Sequence, residues 1–425
     1  MASFDYAVAY SVTAACVSPL RTGGTDGDVE MVLLGSDGLP MVQGSSIAGV
    51  LRSWVSRHGR KGDAERLFGA SRSGTAGDRT SLVTVSDGVF DADAVSQLRP
   101  RLRMDGAAGT GMDSQKFSMR SMETGSVFRF QLLLQTKGRD AAAEQLLEEA
   151  LSALHSQQIG IGGQSANGFG LVKLSVKCRR FDLTQAADRM AWLEDAEPTE
   201  PVKLSRLAPE SITFTVTGST SGVLVRSGQR EKRGDKNSVA TAILDGKKAV
   251  LPGSSLKGLI RGRAEMIADF LNCPEAVTEL FGTQGSAGQL RIRECRIELE
   301  KSRVITRTRI SRFTGGVMEQ KLFSEEPVSG TVCIEAVVKP RNKEKAIDER
   351  CLGLLFYALR DLAMGLYSIG SEGSIGRGCL RNGALTVTDK GRSCTLRFGD
   401  GDMVREGDTG FVEQWLKSLE GGETT

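Results

Sequence analysis

The stretch GSSLKGLIRGR at 253–263 decides how this chain is read, because GSSIAGVLRSW at 44–54 repeats its signal. In each, a glycine and two serines open a segment with helical spacing, as in Val50, Leu51, Trp54 and Val55 of the first. Serine hydroxyls near Ser45 or Ser46 suit the orphan amides of a helix start. Working outward, LFG at 67–69 recurs at 280–282, TGSV at 124–127 returns as SGTV at 329–332, and IGGQSANGFG at 161–170 returns as IGSEGSIGRG at 369–378. Four signals in one order, at offsets of 209, 213, 205 and 208 residues, mark a tandem duplication.

Each half repeats one order of elements. In the first, FDYAVAYSV alternates Phe4, Tyr6, Val8, Tyr10 and Val12 on one face, as a half-buried strand does. The helix after Ser45 follows, then strands at 81–86 and 126–135, a helix at 139–157 and a strand at 171–178. The second half gives a strand at 211–218, the helix after Ser254, strands at 288–298 and 330–338, a helix at 347–367 and a strand at 383–388. The order β-α-β-β-α-β is that of the split βαβ, so the expected class is α+β: two tandem ferredoxin-like (RRM-like) modules, antiparallel sheets with helices on one face. The boundaries expected are 1–180 and 211–398 for the modules, a linker at 181–210 with Pro198, Pro201 and Pro209 that packs through Trp192, and a tail at 399–425 with an amphipathic stretch at 411–420.

Composition narrows the chemistry. The 425 residues are 40% hydrophobic and 25% charged, an ordinary globular balance. No apolar run approaches the ~20 residues of a membrane span and the N-terminus lacks a signal-peptide pattern, so a cytoplasmic protein without a membrane partner is expected. Eight cysteines stand without a C-x-x-C pair, which argues for reduced, buried thiols and against zinc. His58 and His155 are the only histidines, too few for histidine-based chemistry in both halves. The net charge is +3, yet 99–104, 227–238 and 303–313 concentrate arginine and lysine. Such strips can meet phosphates or simply face solvent.

GSSLKG is not a phosphate loop of the nucleotide-hydrolysing kind, because Lys257 precedes Gly258 rather than following it. What remains is a strand exit and a helix N-terminus, either an anion seat or a plain cap.

Taken together, LPGSSLKGLIRGR, ELFG, RISRFTGGVMEQKLFSEEPVSGTV and GSEGSIGRG resemble the RAMP superfamily of CRISPR effector proteins. LPMVQGSSIAGVLRSW, RLFG, RLRMDGAAGTGMDSQKFSMRSMETGSVFRF and GGQSANGFG repeat the series, so the resemblance runs from about residue 5 to 388. It is nearest to the backbone subunits of type III complexes, and two modules in one chain resemble the tandem subunit of type III-D. The resemblance implies a prokaryotic ribonucleoprotein in antiviral defence, with guide RNA, single-stranded target RNA and other effector subunits as partners. It also implies a thumb hairpin in each module, here about 104–124 and 311–328, insertions too long for ordinary loops. Guide phosphates then fall to Ser45, Ser46 and Arg52 in the first module and to Ser254, Ser255, Lys257 and Arg261 in the second. Ala48 and Gln43 stand where Lys257 and Pro252 do, which implies a weaker grip in the first. Close backbone approach to RNA falls to the glycine loops, with Gly163, Gly168, Gly370, Gly376 and Arg377. Plain turns would explain the same glycines.

The resemblance further implies target cleavage by an aspartate on the loop ahead of the helix signal. A gapless count puts Asp28 there, with Asp26 its competitor two residues earlier. In the second module the count falls on Asn237, with Asp235 two residues upstream. Such a carboxylate can hold a divalent ion, Mg²⁺ or Mn²⁺, or orient the ribose 2′-hydroxyl, and Asp28 and Asp235 are the candidate ligands. The alternative is a structural backbone that binds RNA without cutting. A guide-processing role is disfavoured, since it resembles enzymes that rely on a histidine near the RNA.

Overall fold

The computed structural model describes residues 4–23, 25–26, 29–30, 32–70, 80–104, 111–207, 211–233, 237–246, 248–283, 285–340, 346–399 and 402–421. For 25–26, 29–30, 102–104, 111–116, 228–233, 237, 301 and 320–321 it describes the backbone alone. Packing divides the chain into two units: Met1–Leu98 with Phe117–Ser165 and Phe169–Ala208, and Arg99–Lys116 with Ala166–Gly168 and Pro209–Thr425.

The first unit is built from β1 (Tyr6–Cys16), α1 (Gly44–His58), β2 (Val83–Val85), β3 (Gly88–Phe90), β4 (Val127–Thr136), α2 (Ala141–His155) and β5 (Val172–Asp182). The alternation read from the sequence places Tyr6, Val8, Tyr10, Val12, Ala14 and Cys16 in the core. β1 pairs antiparallel with β5 on one side and β4 on the other, and β2 and β3 both pair with β4. α1 buries Ile47, Leu51, Trp54 and Val55, one stripe of its surface, and packs beside α2. Asp140 caps α2 by accepting from the Ala143 amide. In the linker, Trp192 packs edge-on against Phe4 and Phe181, with ring centroids at 6.0 and 5.2 Å.

The second unit repeats the plan with β6 (Ile212–Val223), α3 (Gly253–Phe270), β7 (Leu290–Ile292), β8 (Cys295–Ser302), β9 (Val328–Val338), α4 (Glu349–Ala363) and β10 (Leu380–Asp389). β6 lies between β9 and β10, and β7 and β8 pair with β9. The single strand expected at 288–298 is broken at Arg293 and Glu294, as the first repeat breaks at Ser86 and Asp87. The break serves the glycine of the repeated signal. A Cβ on Gly44 would stand 2.4 Å from the Val85 carbonyl oxygen, and one on Gly253 would stand 2.4 Å from that of Ile292. Only glycine lets the helix start so close to the strand end.

Beyond β10 the sheet continues into β11 (Arg392–Phe398) and β12 (Met403–Gly407), which the sequence reading does not foresee. The amphipathic stretch of the tail is α5 (Gly410–Leu419), which buries Phe411, Val412, Trp415 and Leu419 and packs on α4.

The insertions expected as thumbs at about 104–124 and 311–328 belong to β-hairpins that begin earlier, Ser96–Met104 with Gly111–Met122 and Ile305–Ile310 with Val317–Glu325. Each returning strand pairs in parallel with a short strand from the loop ahead of the helix signal. Val29 and Glu30 pair with Ser118 and Met119; Val239 and Ala240 pair with Ser324 and Glu325. Thus the loops that carry the candidate acids are joined to the thumbs by one ladder, twice.

Candidate functional site

At the first helix start the cap is Gln43, whose side chain makes no capping bond; at the second it is Pro252. The serines expected as caps lie instead within the first turn, because Gly44 and Gly253 already have helical conformation. Ser45 and Arg52 are exposed and Ser46 is half-buried; Ser255 is exposed and Ser254 half-buried. The Gly44 amide donates to Asp87 Oδ1 at 2.7 Å, so a carboxylate of the protein occupies part of the anion seat.

Lys257 departs from its expected outward role. Its Nζ donates to the Leu290 carbonyl at 3.1 Å, and burial, with Arg261 nearby, pulls its pKa down to about 8. Arg261 donates to Glu265 at 2.8 Å and to the Gly282 carbonyl at 3.3 Å. The contrast between Lys257 and Ala48 therefore gives no ground for a weaker first seat.

The two glycine loops share one backbone path. Gly162, Gln164, Gly168 and Gly170 have φ of 80°, 62°, 79° and 79°, and Gly370, Glu372, Gly376 and Gly378 have 82°, 69°, 79° and 74°. Their surroundings differ at one position. A Cβ on Gly168 would meet Arg293 Cα at 2.7 Å, within the second unit to which both belong, whereas one on Gly376 meets nothing within 4 Å among the described residues. Gly163 lies near the Arg21 side chain, and Gly370 lies against the Leu224 carbonyl. At Gly168 and Gly370 the close approach is to the chain's own backbone.

Arg377 is drawn into an ion cluster that sequence reasoning missed. With Arg226 and Arg307 it surrounds Glu325 and Glu372, the Arg377–Glu325 contact being 3.3 Å. Burial would raise the Glu325 pKa, but its hydrogen bonds with Glu372 and Arg307 and the charge of Arg226 outweigh burial and hold it below the usual value. The cluster ties the glycine loop to the base of the second thumb. In the first repeat the matching positions, 206 and 208 residues earlier, are Met119 and Phe169, both fully buried. A signal was visible in the sequence: the loop pair reads GFG in one copy and GRG in the other.

The basic strip 303–313 is displayed to solvent. Arg309 and Arg312 are exposed, and Ile310, Phe313, Val317 and Leu322 form an exposed apolar tip, with Phe313 wholly in solvent. Arg99 of the first strip is instead buried against Glu294. Both histidines contact main-chain carbonyls, His58 that of Trp54 at 2.9 Å and His155 that of Leu174 at 3.0 Å.

Asp28 and Asp235 lie outside the described residues; Asp26 is described only as backbone, in the strand Thr25–Asp26. Asp26 pairs with Val29, and Arg233 with Asn237, so in sequence Asp28 falls between the first pair and Asp235 between the second. The ladder aligns Val29 with Val239, which moves the counterpart of Asp28 from Asn237, given by gapless counting, to Ser238.

A family model for the RAMP superfamily matches residues 13–173 and 210–381, one stretch in each repeat. The chain belongs to the RAMP superfamily. Membership makes it kin to CRISPR-associated RNA-binding subunits, and among the described residues no helix is long and apolar enough to cross a membrane. No curated protein matches the chain.

Proposed function

We propose that this RAMP protein is a tandem backbone subunit of a type III CRISPR ribonucleoprotein, of the kind found in type III-D, that seats guide and target RNA and cuts the target. Each half is read as a ferredoxin-like module, on the strength of the strand order β5-β1-β4-β3 and its repeat β10-β6-β9-β8. The observation that carries the reading is the doubled ladder, in which a loop strand ahead of each helix signal runs parallel to a thumb strand. Guide phosphates lie along the exposed Ser45, Arg52 and Ser255, with Ser46 and Ser254 beside them. The apolar tip at Phe313 offers a stacking surface to a base. Gly168 and Gly370 contribute less to RNA than the loop composition suggests, because their close approaches are internal.

Asp28 is the proposed catalytic carboxylate, with Asp26 its competitor two residues earlier in the sequence and Asp235 the candidate of the second module. Carboxylate oxygens are hard donors that suit Mg²⁺ or Mn²⁺, and the connecting segments GTDGDVEM and GDK hold no thiol or imidazole for zinc. When bound, such an ion supplies charge neutralisation at the scissile phosphate. The protein's part is to hold the phosphate on the thumb sheet and to orient the 2′-hydroxyl beside the carboxylate. In an assembled complex with magnesium, Asp28→Ala removes the cut facing the first module and Asp28→Ala with Asp235→Ala removes both. Cleavage unchanged in the double variant would contradict the endonuclease reading and leave a binding backbone.

A further inference from the structure

Within the second unit, Glu325 grips both strands of the hairpin that precedes the helix signal, one through its side chain and the other through its backbone. Its carboxylate takes Arg226, the first residue of the strand Arg226–Arg233. Its backbone pairs with Ala240 of the returning strand Asn237–Ala242, and the next amide, that of Glu326, donates to the Ala240 carbonyl at 2.9 Å. Asp235 falls in sequence between these two strands, so both arms of its hairpin are tied to one residue of the thumb.

The surroundings hold that tie in one arrangement. The Glu325 side chain is buried, and Arg307 from the first thumb strand and Arg377 from the glycine loop reach the same carboxylate. Glu372, in the left-handed region at φ 69°, brings a second carboxylate to the three arginines. Each buried acid therefore has cationic partners, without which its desolvation would go uncompensated. Ser371 donates from its amide and from its hydroxyl to the Leu224 carbonyl, both at 2.9 Å, so the glycine loop also holds the chain two residues before Arg226. The first module has no such carboxylate at the matching place: its ladder pairs Glu30 with Met119, fully buried and without charge, and Phe169 stands for Arg377 at an offset of 208.

We propose that Glu325 and Arg226 are positioning residues of the second module: they set the hairpin of 226–242 against the thumb and thereby set the rate of the cut facing that module, a task the first module performs without them. The inference rests on the cutting reading given above, with Asp235 as the acid of the second module. A tie made by side chain and backbone together fixes the direction of the hairpin as well as its distance. Placement at this level matters, because a shift of ~1 Å at a reacting group costs on the order of 100-fold in rate.

Single-turnover cleavage by the assembled complex with magnesium tests it, because the first cut is an internal control for folding, loading and metal. Arg226 has its side chain half in solvent, so Arg226→Ala spares the core. It is expected to slow the second cut by about 10-fold or more, with the first cut and the affinity for target RNA unchanged. Arg226→Lys, which keeps the charge, recovers part of the rate. Glu325→Gln is expected to act as Arg226→Ala does, and the two together to slow the cut no further than either alone, as for groups that act through one contact. A second cut of wild-type rate in Arg226→Ala, equal slowing of both cuts, or losses that add in the double variant would overturn the proposal. A wild-type complex that makes the first cut and never the second overturns the reading of Asp235, and the positioning role falls with it. One that makes neither cut overturns the cutting function itself and this role as well.

Discussion

Lys257 shows how far a single residue can turn from its apparent task. A lysine near a helix start reads as a phosphate ligand, but its direction depends on the helix rotation, which places Nζ on the Leu290 carbonyl. Its folded pKa, about 8, lies below the ordinary lysine value of 10.5, so the unfolded chain binds the extra proton between these values. Stability therefore rises with pH across that window. Thermal melts from pH 8 to 10 are expected to show this rise in the wild type and a flatter profile in Lys257→Met. Its guide-RNA affinity should change by less than the effect of Ser255→Glu, which places a negative charge at the exposed helix start.

Among the elements, the two thumbs have unlike footings. The second rests on Glu325 and three arginines, whereas the first has Met119 and Phe169 at the matching places. Glu325 has a folded pKa below its ordinary 4.5, so its contribution is present above that value and is lost as pH falls through the folded pKa. Hydrogen exchange at acid pH is expected to loosen Val317–Glu325 before Phe117–Met122, and Arg377→Ala should produce the same loosening at neutral pH. Equal loosening of both strands would contradict this. The strands and helices themselves were legible in advance: alternation gave β1 and the 3.6-residue period gave α1. The ion cluster was not, since Arg226, Glu325 and Arg377 are brought together over about 150 residues of chain. Nor was the broken strand, because it depends on the approach of Gly253 to Ile292, 39 residues apart.

On the scale of the whole molecule, the second unit is not a contiguous half of the chain, since it includes Arg99–Lys116 and Ala166–Gly168. Sequence offsets could reveal the duplication but not this assignment of segments to the second unit, because packing and not order decides it. Removing Arg99 leaves Glu294 as an unpaired buried charge, at a cost of roughly 3–5 kcal/mol. Arg99→Met is therefore expected to lower the melting temperature clearly, and Glu294→Met in the same chain should restore part of the loss. A wild-type melt in Arg99→Met would contradict the pairing.

The central claim is that one chain seats one RNA strand twice, at the helix starts of residues 44 and 253. Footprinting of guide RNA on the purified chain, by protection of the ribose backbone from hydroxyl radicals, tests it most directly. The account predicts two protected stretches, of which Ser45→Glu with Ser46→Glu removes one and Ser254→Glu with Ser255→Glu removes the other. A single protected stretch that survives both pairs of substitutions would contradict it.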